Sequence, residues 1–350
     1  MARNILILGA SYGSLLGTKL LMAGQDVTLV CRQATADLIN AKGTETRIKL
    51  RGEPEHRAIR SGDLPGALTA KTPQQVDVSE YDMAALAMSE PQCGSEEIRA
   101  LLDQIASARV PCLSIMNMPP LAYLRRIPGL DVEALREAFN CPDVWAGFDP
   151  GLVSLCSPDP QAFRPPEEGA NVLHVGLPTN FKAAPFERAE HNQMLQELAE
   201  AIDAVQLDGN DVPVKLRVFD SLFVPFAKWA MLMTGNYRCV LQDGAQSIRD
   251  AVHSDIVTSK RLYDLVCDLT IYLGAAPGDL VLFEKYANAA HNLLKPSSAA
   301  RAIEAGASQI ERVDLLVTLL AEQAGMGDAA LHAVSETTSA RLALNQRVAA

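Results

Sequence analysis

The apolar residues at the start of the chain follow the order of a strand, a turn, a helix and a second strand. Residues 4–8 (NILIL) form a short branched apolar run, and leucines recur at helical spacing across residues 14–23. Gly24 is a helix-ending glycine, and residues 26–31 (DVTLVC) are again rich in strand-forming side chains. A strand, a helix and a strand in this order predict a βαβ unit, which almost always closes right-handed into a parallel sheet.

The same alternation of strand and helix patterns continues over the following residues. It is typical of a doubly wound parallel sheet that carries helices on both faces. The predicted strands are 47–50, 84–88, 110–116 and 171–176, and the predicted helices are 96–106 and 187–205.

A turn-forming segment, DGNDVPV at residues 208–214, marks a predicted domain boundary. We therefore place a first domain at 1–208 and a second domain at 209–350. Helical spacing dominates the second domain, and no convincing strand is predicted there. The expected fold class is α/β: a Rossmann-type doubly wound parallel sheet followed by a mostly helical C-terminal domain. The stretches that carry the helical spacing are 216–233, 247–271 and 299–322.

The turn after the first strand reads GASYGSLLG and contains Gly9, Ser11, Tyr12 and Gly13. Glycines there permit a tight bend and the close approach of a pyrophosphate, which then lies at the N-terminus of the helix. Ser11 replaces the second glycine of the usual GxGxxG, but the turn has the strand and helix context that the motif requires. We predict that these four residues bind a dinucleotide, with Ser11 donating a hydrogen bond to phosphate. The alternative is a purely structural turn.

The same residues also match GxSxG, the nucleophile elbow of α/β-hydrolases, which would make Ser11 a nucleophile. An elbow on the first strand would leave too little sheet before it, so this interpretation is disfavoured.

At the end of the second strand, NAD enzymes usually carry an acidic residue for the ribose 2′-hydroxyl. Here Arg32 occupies that place, and a cation suits a 2′-phosphate. The predicted cofactor is therefore NADPH, and the alternative is that Arg32 is an ordinary solvated arginine.

Composition and charge narrow the range of partners. With 48% hydrophobic and 21% charged residues the chain is an ordinary globular one. A net charge of −11 with scattered Lys and Arg argues against nucleic acid as a partner. The seven cysteines form no CxxC pair and His and carboxylates show no metal-ligand spacing, so we expect reduced thiols and no metal. The absence of a long apolar stretch predicts neither a signal peptide nor a membrane span, and hence a cytoplasmic protein.

Three further groups of polar residues carry a resemblance to a known family. Asn117 in SIMNMPP comes after a predicted strand. Lys228 and Asn236 in KWAMLMTGN are eight residues apart, close to two helical turns, so we expect them to share one face. Ser297 and Ser298 are followed by Glu311.

Together with the glycine turn and Arg32, these residues resemble the ketopantoate reductase family. The resemblance is densest at the N-terminus and continues at lower density along the chain, with Met118 and Leu232 departing from the family's usual glycine and asparagine. It implies an NADPH-dependent oxidoreductase that acts on a CH–OH group, with a Rossmann domain and a helical domain for substrate binding and dimerisation. A homodimer, a 2-oxo acid substrate and a place in pantothenate biosynthesis are the corresponding expectations.

The resemblance also implies roles for single residues. Lys228 is expected to be the general acid, because desolvation lowers the pKa of an ammonium and brings it near neutral pH. Glu311 is expected to orient the substrate hydroxyl or Lys228, and Asn117 to touch both nicotinamide and substrate. Asn236 and Ser298 would donate hydrogen bonds to the substrate carboxylate or hydroxyl.

Each of these residues also has a structural explanation. Lys228 can be a snorkelling helix lysine, Asn236 and Ser298 can cap helices or form turns, and Glu311 can be solvated. His291, the histidine before the serine pair, is more readily explained as a packed side chain than as a site residue. At the level of function, the alternatives are an opine or imine reductase on the same scaffold and an NADP-binding protein without catalysis.

Overall fold

Buried apolar strands dominate the first part of the chain because they lie inside a sheet that is covered on both faces. In the computed structural model, which describes residues 2–349, the chain forms two compact units. The first unit contains residues 2–88, 92–126 and 143–220, and the second contains 89–91, 127–142 and 221–349.

Among the described residues, the first unit is built from strands and five α-helices. Its strands are β1 (Asn4–Leu8), β2 (Asp26–Val30), β3 (Glu45–Lys49), β4 (His56–Arg60), β5 (Leu68–Lys71), β6 (Met83–Leu86), β7 (Cys112–Ile115), β8 (Val153–Ser157), β9 (Gln161–Phe163), β10 (Val172–Leu177), β11 (Phe181–Ala183), β12 (Gln206–Leu207), β13 (Asn210–Asp211) and β14 (Leu216–Val218). Its helices are α1 (Gly13–Met22), α2 (Gln33–Lys42), α3 (Glu96–Ser107), α4 (Leu121–Leu124) and α5 (Ala189–Asp203).

The main sheet has the strand order β14-β11-β8-β7-β6-β1-β2-β5. The six strands from β8 to β5 in this order are parallel to one another, so their carboxyl ends lie along one edge. Strands β2 and β5 lie on one side of β1 in the sheet. Strands β6, β7 and β8, which come later in the chain, lie on the other side. The reversal between β1 and β6 is the kind of point at which open α/β sheets bind ligands. The predicted fold class is confirmed.

A second, four-stranded sheet with the order β4-β3-β10-β9 lies outside the main sheet. The predicted strands at 47–50 and 171–176 are present but belong to this small sheet rather than to the doubly wound one. Strand β10 pairs in parallel with β3 and antiparallel with β9. Its alternation of buried and more exposed positions is typical of a sheet with one covered face.

The chain remains in the first unit beyond the predicted boundary at residue 208. It forms the β12–β13 hairpin and then β14, which pairs in parallel with β11. The expectation of a helix over 216–233 is therefore wrong at its start, where residues 216–218 form a strand. A three-residue edge strand has no periodicity of its own, and its pairing with β11 decides its conformation.

The second unit is helical. The predicted stretches 247–271 and 299–322 each hold two helices. In the first stretch, Asp255 caps a new helix by accepting from the Thr258 N–H at 3.0 Å. In the second stretch, residues 305–312 separate the two helices. None of the helices described in residues 2–349 is both long and apolar enough to span a bilayer. The helices are α6 (Ala227–Met231), α7 (Ile248–His253), α8 (Ile256–Tyr272), α9 (Phe283–Ala290), α10 (Ser298–Glu304), α11 (Val313–Gln323) and α12 (Ala329–Ala349).

Candidate functional site

The glycines of the first turn are required by close packing. Gly9 has φ +105°, and a Cβ on it would lie 2.4 Å from the carbonyl oxygen of Ala87. A Cβ on Gly13 would lie 2.5 Å from Cγ2 of Ile7. The turn and the first residue of α1 are thus pressed against β1 and against the residue that follows β6. The N-terminus of α1 is thereby fixed at the carboxyl edge of the sheet.

The amides of this turn divide into bonded and available groups. The Gly13 N–H donates to the Gly9 carbonyl at 3.1 Å, and the Ser14 N–H donates to the Ser11 carbonyl at 3.3 Å. Tyr12 precedes the helix without a side-chain cap, and the first turn carries no acidic residue. The amides of Ser11 and Tyr12 are therefore the ones placed to meet an anion, and the exposed Ser11 side chain lies beside them. This arrangement fits a pyrophosphate.

The Tyr12 side chain makes its contacts within the protein. Its hydroxyl donates to the Pro160 carbonyl at 2.8 Å, and its ring meets that of Phe181 edge-on with centroids 5.9 Å apart. Burial raises the pKa of Tyr12 far above its ordinary value, so the phenol stays neutral. A contribution of Tyr12 to a cofactor would come from its backbone.

Two arginines lie near the ends of β1 and β2. Arg32 is exposed at the N-cap position of α2, directly after β2. Arg164, just beyond β9, donates from Nη2 to the Ala10 carbonyl at 2.8 Å. Sequence reasoning missed Arg164, because its place beside the turn depends on how β9 pairs and on no local motif.

Asn117 lies at the same edge of the sheet, since it follows β7 and is half-buried. The next residue, Met118, is completely buried. The first unit therefore brings the predicted cofactor residues Gly9, Arg32 and Asn117 to the carboxyl ends of β1, β2 and β7. That common edge is where the fold favours ligand binding.

In the second unit, Lys228 lies on α6 and is half-buried, whereas Phe226 and Trp229 beside it are buried and stacked with ring centroids 3.9 Å apart. Helix α6 continues directly into a π-helical turn, Leu232–Asn236. Two turns of an α-helix take about 7.2 residues, so eight residues would rotate Asn236 about 80° past Lys228. A π-helical turn is wider and holds more residues, which reduces this offset. The expectation that both side chains share a face depends on this turn.

The π-helical turn has a visible cause. Gly235 leaves room for Tyr286 of α9, whose hydroxyl donates to the Met231 carbonyl at 3.1 Å. A Cβ on Gly235 would lie 1.9 Å from that hydroxyl oxygen. A side chain that enters the hydrogen-bond ladder of a helix distorts it locally, and π-helical turns are frequent at functional sites.

The other predicted residues of the second unit are linked to Asn236 through its neighbours. Ser297 caps α10, and its hydroxyl donates to the Asn236 carbonyl at 2.7 Å. Ser298, the predicted substrate ligand, is exposed in the first turn of α10. The hydroxyl of Tyr237 donates to the Glu311 carbonyl at 2.6 Å. These two contacts hold the segments that carry Asn236, Ser298 and Glu311 next to one another.

A buried carboxylate that sequence reasoning missed lies beside Glu311. Glu90 is completely buried and accepts from Nδ2 of Asn140 and from the N–H of Cys141, both at 2.7 Å. Its own N–H donates to Oε1 of Glu311 at 3.4 Å. Burial raises the pKa of Glu90. No local signal distinguishes this glutamate from a solvated one, because its partners come from a distant part of the chain.

His291 is exposed and stacks on His253, with ring centroids 3.8 Å apart. Within the part of the chain that the structure describes, no three His, Cys, Asp or Glu side chains group in a way that could hold a metal ion.

A parallel sheet with a switch point, a glycine turn at that point and a separate helical unit make up a two-unit fold with a Rossmann-type sheet. Known structures of that kind are similar to this chain over nearly its whole length. The 2-dehydropantoate 2-reductase of Methylococcus capsulatus aligns with a TM-score of 0.65 at 14% identity, covering 99% of this chain and 96% of its own. The ketopantoate reductase of Staphylococcus aureus aligns with a TM-score of 0.61 at 11% identity, covering 98% of this chain and 99% of its own.

D-mandelate dehydrogenase, solved with NADH and anilino(oxo)acetate, aligns with a TM-score of 0.65 at 13% identity, covering 98% of this chain and 99% of its own. At these identities the similarity establishes the fold, which is that of ketopantoate reductases. No protein-family model and no curated protein sequence matches the chain.

Proposed function

We propose that this protein is an NADPH-dependent reductase of a 2-oxo acid, of the type that converts 2-dehydropantoate to pantoate. The observation that carries the proposal is the edge of the first unit. There the packed glycine turn, Arg32 and Asn117 lie at the carboxyl ends of parallel strands beside the switch point. The reductases and the dehydrogenase that share the fold support the same class of reaction.

In this proposal the first unit holds the cofactor. The backbone of the turn from Gly9 to Gly13 receives the pyrophosphate, with Ser11 as a side-chain donor, and Arg32 pairs with the 2′-phosphate. Asn117 orients the nicotinamide end. NADPH, when bound, supplies the hydride that reduces the carbonyl carbon.

The second unit supplies the proton and binds the oxo acid. Lys228 donates a proton to the carbonyl oxygen as the hydride arrives, so the product is the 2-hydroxy acid and the lysine is left neutral. The aromatic side chains of Phe226 and Trp229, close to Lys228 in the sequence, are both buried. Asn236 and Ser298 donate hydrogen bonds to the substrate, and Glu311 orients Lys228 or the new hydroxyl.

The direct test is consumption of NADPH, followed by loss of nicotinamide absorbance, with a panel of 2-oxo acids that includes 2-dehydropantoate and aryl-substituted members. We expect turnover without an added amine. Turnover that requires an amine would instead identify an opine or imine reductase. Tight NADPH binding with no turnover on any member of the panel would contradict the proposal.

The role of Lys228 is tested by Lys228→Ala. We expect the single-turnover rate to fall by about 10²-fold or more while the Kd for NADPH is unchanged, because one acid–base group contributes that much. Lys260→Ala, at an exposed position of α8 in the same unit, is the matched control and should turn over normally. A near-normal rate per folded molecule of Lys228→Ala would remove the lysine from the mechanism.

Cofactor preference is tested by Arg32→Asp. The new carboxylate would repel the 2′-phosphate and accept from a ribose hydroxyl, so NADPH should bind more weakly and NADH relatively better. The measurement is the ratio of the two Kd values by fluorescence titration. If that ratio is unchanged, Arg32 does not contact the ribose.

A homodimer formed through the helical unit and a cytoplasmic location stay predictions.

A further inference from the structure

The chain that leaves β8 passes the glycine turn on its way through β9. Two hydrogen bonds fix this crossing segment, residues 158–164, to the turn. The Tyr12 hydroxyl donates to the Pro160 carbonyl, and Nη2 of Arg164 donates to the Ala10 carbonyl, each at 2.8 Å. The crossing segment thus carries a guanidinium group to the start of the β1–α1 turn.

Arg164 is a half-buried cation in an environment that does not neutralise it. Across residues 2–349, the Ala10 carbonyl is its one side-chain hydrogen-bond partner, and no carboxylate lies within ion-pair distance. Burial lowers the pKa of Arg164. Several other arginines of the unit are paired with carboxylates: Arg47, for example, bonds to both Glu45 and Glu168. Since a guanidinium has five N–H donors, several at Arg164 remain available to an anion.

The position of Arg164 identifies the part of a dinucleotide that it would meet. It donates to the Ala10 carbonyl, and the N–H of the preceding Gly9 donates to the carbonyl of Val30, the last residue of β2, at 3.1 Å. Arg164 therefore lies on the β2 side of the turn. In this fold the ribose of the adenosine half lies at the end of β2, whereas the pyrophosphate lies at the N-terminus of α1.

We infer that Arg164 is a second specificity residue for the cofactor, and that it pairs with the 2′-phosphate of NADPH together with Arg32. The inference rests on the proposed function and extends it. The hydrogen bond to Ala10 holds the side chain in place before the cofactor binds, so little rotamer entropy is lost on binding. Two arginines from separate elements would then hold one phosphate, and the half-buried one has the more rigid side chain.

The test is cofactor binding, measured by isothermal titration calorimetry with NADPH, NADH, adenosine 2′,5′-bisphosphate and adenosine 5′-monophosphate. The variants are Arg164→Gln, which keeps a donor for the Ala10 carbonyl and removes the charge, and Arg164→Lys, which keeps the charge and loses the planar fork. Arg217→Ala is the control, because Arg217 lies on β14 at the far edge of the sheet and pairs with Asp203.

For Arg164→Gln we expect the Kd values of NADPH and of the bisphosphate to rise about 10- to 100-fold, because a charge-assisted hydrogen bond is lost. The Kd values of NADH and of the monophosphate should change less than about 3-fold, and Arg164→Lys should fall in between. The control should bind all four ligands like the wild type.

An equal loss for NADPH and NADH would place Arg164 at the pyrophosphate and overturn the inference. Unchanged NADPH binding in Arg164→Gln, with a normal melting temperature, would overturn it as well. If the wild-type protein binds none of the four ligands, the proposed function itself fails, and that result is distinct from either of the others.

Discussion

Replacing one buried lysine with methionine should stabilise the protein. Lys19 lies in the middle of α1 with 2% of its surface exposed, and its Nζ donates to the Val212 carbonyl at 3.1 Å. Burial, and then the neighbouring charge of Lys215, lowers the pKa of Lys19 from 10.5 to about 7, although Asp211 and Asp203 partly oppose the change. Near neutral pH the folded protein therefore carries a destabilised cation.

The direction of the pH dependence follows from the two pKa values. Below about pH 7 Lys19 is protonated in both states, and the folded state bears the full cost. Between about 7 and 10.5 the unfolded chain binds more protons, so the free energy of unfolding rises with pH over this window. At about 1.36 kcal/mol for each pH unit, the cost below pH 7 amounts to about 5 kcal/mol.

Lys19→Met removes the charge and keeps an unbranched chain of similar length. It also leaves the Val212 carbonyl without its donor, which costs about 1–3 kcal/mol. We expect a net gain of about 2–4 kcal/mol at pH 6. The gain should shrink as the pH rises and become a small loss near pH 10, where Lys19 is neutral in the folded protein and little of the cost of burying its charge remains.

The assay is urea unfolding at several pH values between 6 and 10. The chain has two tryptophans, Trp145 in the first unit and Trp229 in the second. In a Trp229→Phe background, fluorescence therefore reports on the unit that holds Lys19. Lys42→Met, at an exposed position in the last turn of α2, is the control and should change little. A variant no more stable than the wild type at pH 6, with the same pH profile, would refute the reasoning.

Two glycine substitutions test the packing around the candidate residues, one in each unit. Gly9→Ala places a methyl group 2.4 Å from the Ala87 carbonyl oxygen and should lower the free energy of unfolding in urea by about 2–4 kcal/mol. Gly52 also has a positive φ but nothing within 4 Å of an added Cβ, so Gly52→Ala is the control and should lower the free energy of unfolding less. Gly235→Ala should cost about 1–3 kcal/mol, because its methyl group meets the Tyr286 hydroxyl. Adding Tyr286→Phe should recover part of that loss, and strict additivity of the two changes would contradict the proposed fit.

Local signals predicted the β1–α1–β2 start of the fold correctly. A strand, a glycine turn and a helix with regularly spaced leucines are close in sequence, and each restricts its own backbone. The strand nature of 216–218 depends on β11, and the placing of β3 and β10 in a separate sheet depends on their pairing. Such features follow from contacts between distant segments and have no local signature.

The same division applies to the candidate site. Gly9 and Arg32 could be selected from sequence because each has a defined position relative to a strand and a helix. The π-helical turn near Lys228 could not, because its cause is Tyr286, which comes from a later helix. Arg164 was missed for a similar reason. Ser298 was selected from a serine pair of which Ser297 is the buried member.

The small sheet has a consequence for the order in which the first unit can fold. Its pairing of β3 with β10 joins segments more than a hundred residues apart, and the loop between them must close before the pairing contributes any stability. During synthesis, the glycine turn therefore emerges early. The segment that carries Arg164 and the strand β10 that follows it emerge much later. A nascent chain that ends before β10 could form β1, α1 and β2 but not the pairing that secures Arg164. If the protein binds NADPH as proposed, high affinity for it should consequently arise late in synthesis, in one step with closure of the small sheet.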